Sequence, residues 1–227
     1  MKMNKLAKTV NKSAHNRIIE INYMFSKINT FDNPVDKYFF ARTVVVFTYG
    51  TLEKFIKEST EIAIGLAIDN KYYNNNYIEE LMRAIKYKNS PSDLLDLILF
   101  YKLDVYHRSE FGIVKDKGYF SSFSRIDSRT ISSIINILNL NRFEPRIKIP
   151  KLEIDNIAKK RMDFAHGDYI KDLERFSASR KDLTIEEVDK YIDKDLYLND
   201  ITRGELVQFI NDFKDKVLLF IADIDYL

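Results

Sequence analysis

Six glycines and four prolines are all that this 227-residue chain has for making turns. A many-stranded sheet uses such residues at every reversal, so a chain this poor in them is steered toward long helices. The apolar residues agree. Leu206, Phe209, Ile210, Phe213, Val217, Phe220 and Ile221 recur in three- and four-residue steps, as on a helix with one face inside. The expected fold class is therefore all-α, a helical bundle with one irregular insertion, forming a single domain over residues 1–227.

The pattern divides the chain as follows. A first helix falls within residues 1–30, about Asn4 to Ile28, and Asp32-Asn33-Pro34 breaks it. A second runs from about Val35 to Ile68. Phe39, Phe40, Val44, Val45, Phe47, Leu52, Phe55, Ile56 and Ile62 are its expected core-facing stripe, and the β-branched run Val44-Val45-Val46 reads as buried helix because the period continues on both sides. Shorter helices are expected over 74–87 and 92–103, and an irregular region over about 104–127, where Gly112 and Gly118 stand. Ser128 to Leu138 reads as a helix capped by Asp127, and Asn141 to Pro150 as an extended linker. The next helix spans 150–167, with Ile154, Ile157, Ala158, Met162 and Ala165 inward and Gly167 as its C-cap. Thr184 with Glu187 is a capping box for a short helix, and Thr202 with Glu205 repeats the pattern before the last one.

Composition narrows the setting. The 45% hydrophobic and 31% charged fractions are those of a globular chain with a substantial core. With no cysteine, disulfides and thiolate metal sites are excluded, and a reducing compartment is natural. The longest apolar runs, Val44 to Phe47 and Val217 to Ala222, are too short to cross a bilayer, and the basic N-terminus lacks the apolar stretch of a signal peptide. No membrane association and a cytoplasmic location are expected. Net charge is only +2, but residues 142–181 hold 11 lysines and arginines against 7 aspartates and glutamates, a local excess of +4.

The familiar catalytic signatures are missing: there is no phosphate loop, no HExxH and no GxSxG elbow. The three histidines, His15, His107 and His166, are scattered, so no histidine metal site and no cofactor is expected. His15 reads as a surface residue and His107 as a loop residue. His166 stands apart because Lys159, Lys160 and Arg161 form a basic cluster one turn before it and Gly167 follows it. A helix C-terminus favours a protonated imidazole, and a guanidinium offers forked donors to a phosphodiester oxygen. RNA cleavage requires little more than a proton donor or acceptor and a cation for the pentavalent phosphate. Five residues rotate by about 140° on a straight helix, so the two side chains share no stripe. They converge through the length of the arginine at the helix end, or across a dimer.

The segment Arg161-Met162-Asp163-Phe164-Ala165-His166-Gly167 resembles the R-x4-6-H signature of the HEPN superfamily. Tyr49, Glu53, Phe55, Ile56 and Lys57 resemble the Y-x-x-x-E-x-F-[IV]-K pattern in the second helix of MAE-type HEPN-like nucleases. The stretch from Asp127 through Leu140 resembles the short helix that precedes the catalytic one there. This resemblance implies a HEPN-like helical bundle, usually dimeric, with two Arg–His motifs facing each other. It implies metal-independent RNA cleavage leaving a 2′,3′-cyclic phosphate, in toxin–antitoxin or anti-phage systems, with an antitoxin or defence-system partner. On it, Arg161 and His166 are the expected catalytic pair, and Lys159, Lys160 and Tyr169 the expected RNA contacts. Glu53, Tyr49 and Asp163 are expected to support the site. Glu53 either orients Arg161 or pairs with Lys57 along its own helix, and Tyr49 either reaches the cleft or is a core aromatic. The family usually has Asn, Asp or His directly after the arginine. Met162 stands there instead, with Asp163 one step later. The alternatives to an RNase are a non-catalytic HEPN-type nucleotide-binding or dimerisation module, and a structural helical protein whose motif is accidental.

Overall fold

A computed structural model describes residues 2–69, 126–165 and 184–225. Among them are six α-helices and no strand: α1 (Lys2–Ile28), α2 (Pro34–Asp69), α3 (Ser128–Ile137), α4 (Lys151–Ala165), α5 (Ile185–Lys194) and α6 (Asp200–Asp225). The all-α expectation holds. The helices expected over 74–87 and 92–103, the irregular region over 104–125, and His107, His166, Gly167 and Tyr169 lie outside the described residues.

The helix starts follow from side-chain chemistry. Asn33 Oδ1 accepts the amides of Val35 and Asp36 at 2.9 and 3.2 Å, and Pro34 fills the first position, where no amide partner is needed. Asp127 accepts the amide of Thr130 at 2.9 Å at the head of α3. Thr184 and Glu187 complete the expected reciprocal box at α5. The box expected at Thr202–Glu205 does not form. Asn199 Oδ1 accepts the Thr202 amide at 2.9 Å, so α6 begins earlier and Thr202 lies buried within its first turn.

The chain packs as two compact units, residues 12–55 with 148–212, and residues 1–11, 56–147 and 213–227. In the first, Tyr38, Val44, Val45, Leu52 and Phe55 of α2 are buried, as are Ile154, Ile157 and Ala158 of α4 and Val188, Tyr191 and Ile192 of α5. The Tyr38 and Tyr191 rings lie 5.4 Å apart. Lys37 is buried beside them and ion-paired with Asp189 of α5, which meets the requirement that a buried ammonium have a partner. Each fully buried aromatic such as Phe55 is worth roughly 1.5–3 kcal/mol in transfer free energy.

In the second unit, Ile131, Ile134, Ile135 and Leu138 of α3 are buried, with Phe213, Val217, Phe220 and Ile221 of α6. Arg142, in a 3-10 turn over Leu140–Arg142, is ion-paired with Asp223 and lies over the rings of Phe143 at 4.5 Å and Phe220 at 5.7 Å. Lys216 is buried and donates to the Glu144 carbonyl at 3.1 Å. Asn139, at φ 48°, makes the left-handed step after α3 that asparagine tolerates well.

The expected stripe on α2 needs correction. Phe39 and Phe47 are exposed, at 44% and 36%, and so is Val46 at 44%, while Phe40 and Ile62 are half-buried. Apolar residues take up more of the α2 circumference than the described residues bury. On α4, Met162 is half-buried rather than inward.

Candidate active site

Arg161 lies in the last turn of α4, half-buried, with its guanidinium carbon 5.4 Å from the centroid of the Tyr49 ring on α2. Tyr49 itself is only 3% exposed. The two alternatives for this tyrosine therefore merge: it is a core aromatic, and its ring face is the surface on which the motif arginine rests. A cation over a partly buried ring gains about 1–2 kcal/mol, enough to hold a guanidinium in place without neutralising it.

A second contact of the same kind runs the other way. Arg42 of α2 lies over Phe164 of α4 at 4.5 Å, and also over Tyr38 at 5.6 Å and Phe39 at 5.9 Å. Arg42 and Tyr49 are two turns apart on one side of α2, while Phe164 and Arg161 are one turn apart on α4. Numbers rise along one helix as they fall along the other, so the helices run antiparallel here, joined by two reciprocal cation–ring contacts. Sequence reasoning did not select Arg42 or Phe164. The signal was available, since Arg42 stands seven residues before Tyr49 and Phe164 three after Arg161.

Glu53 is half-buried, but among the described residues it does not form an ion pair with Arg161, whose contact is the Tyr49 ring. Asp163 is half-buried, Lys160 half-buried and Lys159 exposed. Those three lie on the motif helix, and the structure brings Tyr49 and Arg42 of α2 to its Arg161 and Phe164. His166 follows Phe164 by two residues and, like Tyr169, lies outside the described residues.

At the other end of α4 a carboxyl pair forms. Burial raises the Glu153 carboxyl above its ordinary value of 4.5, and the charge and hydrogen bond of Glu205 on α6 add to the rise, opposed by a backbone hydrogen bond and by Lys148. Among the described residues no group of three His, Asp or Glu side chains converges as a metal site. No helix among them is long and apolar enough to cross a membrane.

Among the described residues, α2 and α4 thus form an antiparallel helical pair with Arg161 of α4 over the Tyr49 ring of α2. The family model named RiboL-PSP-HEPN matches residues 12–217. The chain belongs to the RiboL-PSP-HEPN family. No curated protein and no solved structure is significantly similar to the chain. Membership spans α2, α4 and α5, the helices that carry or support the motif, and makes a nuclease-like or RNA-related HEPN module the coarse functional class.

Proposed function

We propose that this HEPN protein is a metal-independent endoribonuclease, a single HEPN-like domain acting as a homodimer in the cytoplasm, with a toxin or anti-phage role. The observation that carries the reading is the seat of Arg161. Among the described residues no carboxylate pairs with it, and its guanidinium lies over the Tyr49 ring, a contact that keeps its charge and its N–H donors for an anion. A phosphodiester presents the matching bidentate acceptor. His166 supplies the proton chemistry, withdrawing the 2′-hydroxyl proton or protonating the leaving 5′-oxygen, and attack of the 2′-oxygen leaves a 2′,3′-cyclic phosphate. Arg161 stabilises the added charge on phosphorus. Lys159, Lys160 and Tyr169 hold the strand through its phosphates and bases, while Glu53 and Asp163 support the site.

The test is incubation of the purified protein with total RNA or tRNA, with and without EDTA, beside Arg161→Ala and His166→Ala. Cleavage that survives EDTA, leaves cyclic phosphate ends and is lost in both variants is the expected result. RNA cut equally by the variants, or by none of the proteins, sinks the assignment. Met162 favours a second reading, a HEPN-type module that binds a nucleotide or a partner antitoxin without cutting. An apolar, half-buried side chain stands where the family's polar helper usually does. That reading predicts nucleotide or RNA binding dependent on Arg161 with no turnover.

A further inference from the structure

Six of the seven charged residues of α1 are lysine or arginine, and the seventh, Glu20, is tied to Arg17 at 2.9 Å. The helix therefore holds a net +5 in a chain whose whole net charge is +2, which leaves −3 for everything else. That charge is not spread evenly around it. Lys5, Lys8, Lys12, His15, Ile19 and Tyr23 are all exposed, and at about 100° per residue they fall within one sector of about 100°. They lie on one helix, whose own geometry sets their row. No carboxylate of α1 stands in that sector, because Glu20 falls beyond its edge.

The far end of the row is the second, independent observation. Ile19 and Tyr23, one turn apart and beyond the last lysine, are 53% and 58% exposed. On its other side α1 already buries Ala14, Ile21, Phe25 and Ile28, so these two exceed what its core contact needs. Lys27 Nζ lies 5.3 Å from the centroid of the Tyr23 ring, and a ring so exposed still offers a face to a flat partner. Ammonium groups in a row that runs into an aromatic ring are what a single nucleic-acid strand requires, cations for its phosphates and a π-face for a base. A membrane surface calls for a helix whose apolar stripe is free to enter the lipid, and the stripe of α1 is in the core.

We propose that this face of α1 is a second RNA-binding surface, made of residues outside the Arg161–His166 motif, that grips a single strand without cutting it. Lys5, Lys8 and Lys12 take phosphates, and Tyr23, backed by Lys27, stacks a base with Ile19 beside it. From Lys5 to Tyr23 the row spans eighteen residues, about 27 Å at 1.5 Å per residue, which is room for several nucleotides. Ammonium groups on phosphates carry no sequence information, so the surface raises affinity for RNA of any sequence. It holds no reacting group and acts on binding alone. This surface rests on the ribonuclease reading only for what the held strand is used for.

Fluorescence anisotropy tests this, with the full-length protein and a labelled 2′-O-methyl oligonucleotide, whose blocked 2′-oxygen cannot attack, across a salt series. Lys5→Ala, Lys8→Ala and Lys12→Ala combined should weaken binding roughly tenfold or more at low salt. They should also flatten the slope of log affinity against log salt by about 2, at roughly 0.7 for each single-strand phosphate released. Tyr23→Ala should weaken binding about fivefold or more with the slope unmoved, and Tyr23→Phe should keep wild-type affinity, because stacking needs the ring and not the hydroxyl. Lys151→Ala, Lys190→Ala and Lys194→Ala combined remove as much charge from other exposed positions and should leave the slope unmoved. On cleavable RNA the α1 triple variant should raise KM and leave kcat and the melting temperature unchanged. Equal losses in the two triple variants, an unmoved slope in the α1 variant, or binding to phosphatidylserine vesicles in place of the oligonucleotide overturns the proposal. Binding as described by a protein that cuts no RNA leaves this surface standing and removes the ribonuclease. Cleavage by an α1 variant with wild-type affinity and KM does the reverse.

Discussion

Of the arginines that lie over aromatic rings among the described residues, Arg142 and Arg161 are held in opposite ways. Arg142, in the unit that includes α3 and the end of α6, lies over Phe143 and Phe220 and is also ion-paired with Asp223. Arg161, in the unit that includes α4 and α5, lies over Tyr49, and among the described residues no carboxylate pairs with it. A guanidinium with both a ring and a carboxylate is committed to structure, because its charge and its fork are already used. A guanidinium with a ring alone is oriented, yet keeps its charge for something that arrives. The contrast supports the proposed role of Arg161 on α4.

Substituting the two arginines is the strongest way to break that contrast. Arg161→Ala should lower RNA cleavage by a factor of about 10² or more, as loss of a charge-stabilising donor does. Its melting temperature should stay within a few degrees of the wild type. Arg142→Ala should do the opposite, destabilising the fold by about 1–3 kcal/mol in urea titration, the Coulomb part discounted because Asp223 is partly exposed, with cleavage retained. If both variants lose stability alike and keep activity alike, the distinction collapses.

Conservative replacement sharpens it at smaller scale. Arg142→Lys keeps a cation for Asp223 and should shift stability by less than about 1 kcal/mol. Arg161→Lys loses the fork that grips a phosphate in two places and should drop the catalytic rate while Tm is unmoved. Removing the cap of α3 with Asp127→Ala should reduce stability by about 1 kcal/mol, read by chemical denaturation, without touching cleavage.

The smallest expected effect is a pH dependence at the far end of the motif helix. Burial and then Glu205 raise the Glu153 carboxyl in the folded chain above the unfolded value of 4.5. Stability from this pair is therefore fully present below the ordinary carboxylate range and is lost as pH rises through the folded value. Glu153→Gln should raise the melting temperature slightly at neutral pH, the gain being limited by solvent screening, and the difference should vanish in acid. A variant less stable than wild type at neutral pH contradicts the assigned direction.

Much of this was legible in the residues, and unevenly so. The caps at Asp127 and at Thr184–Glu187 and the inward stripe of α6 depend on neighbours within a few positions, so local spacing reveals them. The cap of α6 was misassigned to Thr202 because Asn199 and Thr202 are both good caps, and only the path of the chain chooses between them. Phe39, Val46 and Phe47 were assigned to the core with the rest of α2, since apolar content does not say which arc of a helix its own chain covers. Residue type leaves Glu53 open between orienting Arg161 and pairing with Lys57, whereas the crossing of α2 and α4 puts Tyr49 beneath the guanidinium.

By itself, then, the sequence determined that the chain is helical, where α3 and α5 begin, which face of α6 is inside, and that Arg161 and His166 form a HEPN signature. These rest on interactions between residues at most a few turns apart, whose geometry a helix dictates in advance. Only the tertiary structure decided that Tyr49 rather than Glu53 receives Arg161, that Arg42 reaches Phe164, and that one face of α2 is left to solvent. Those outcomes depend on which helices cross and at what register, and that is settled by packing among residues more than a hundred positions apart.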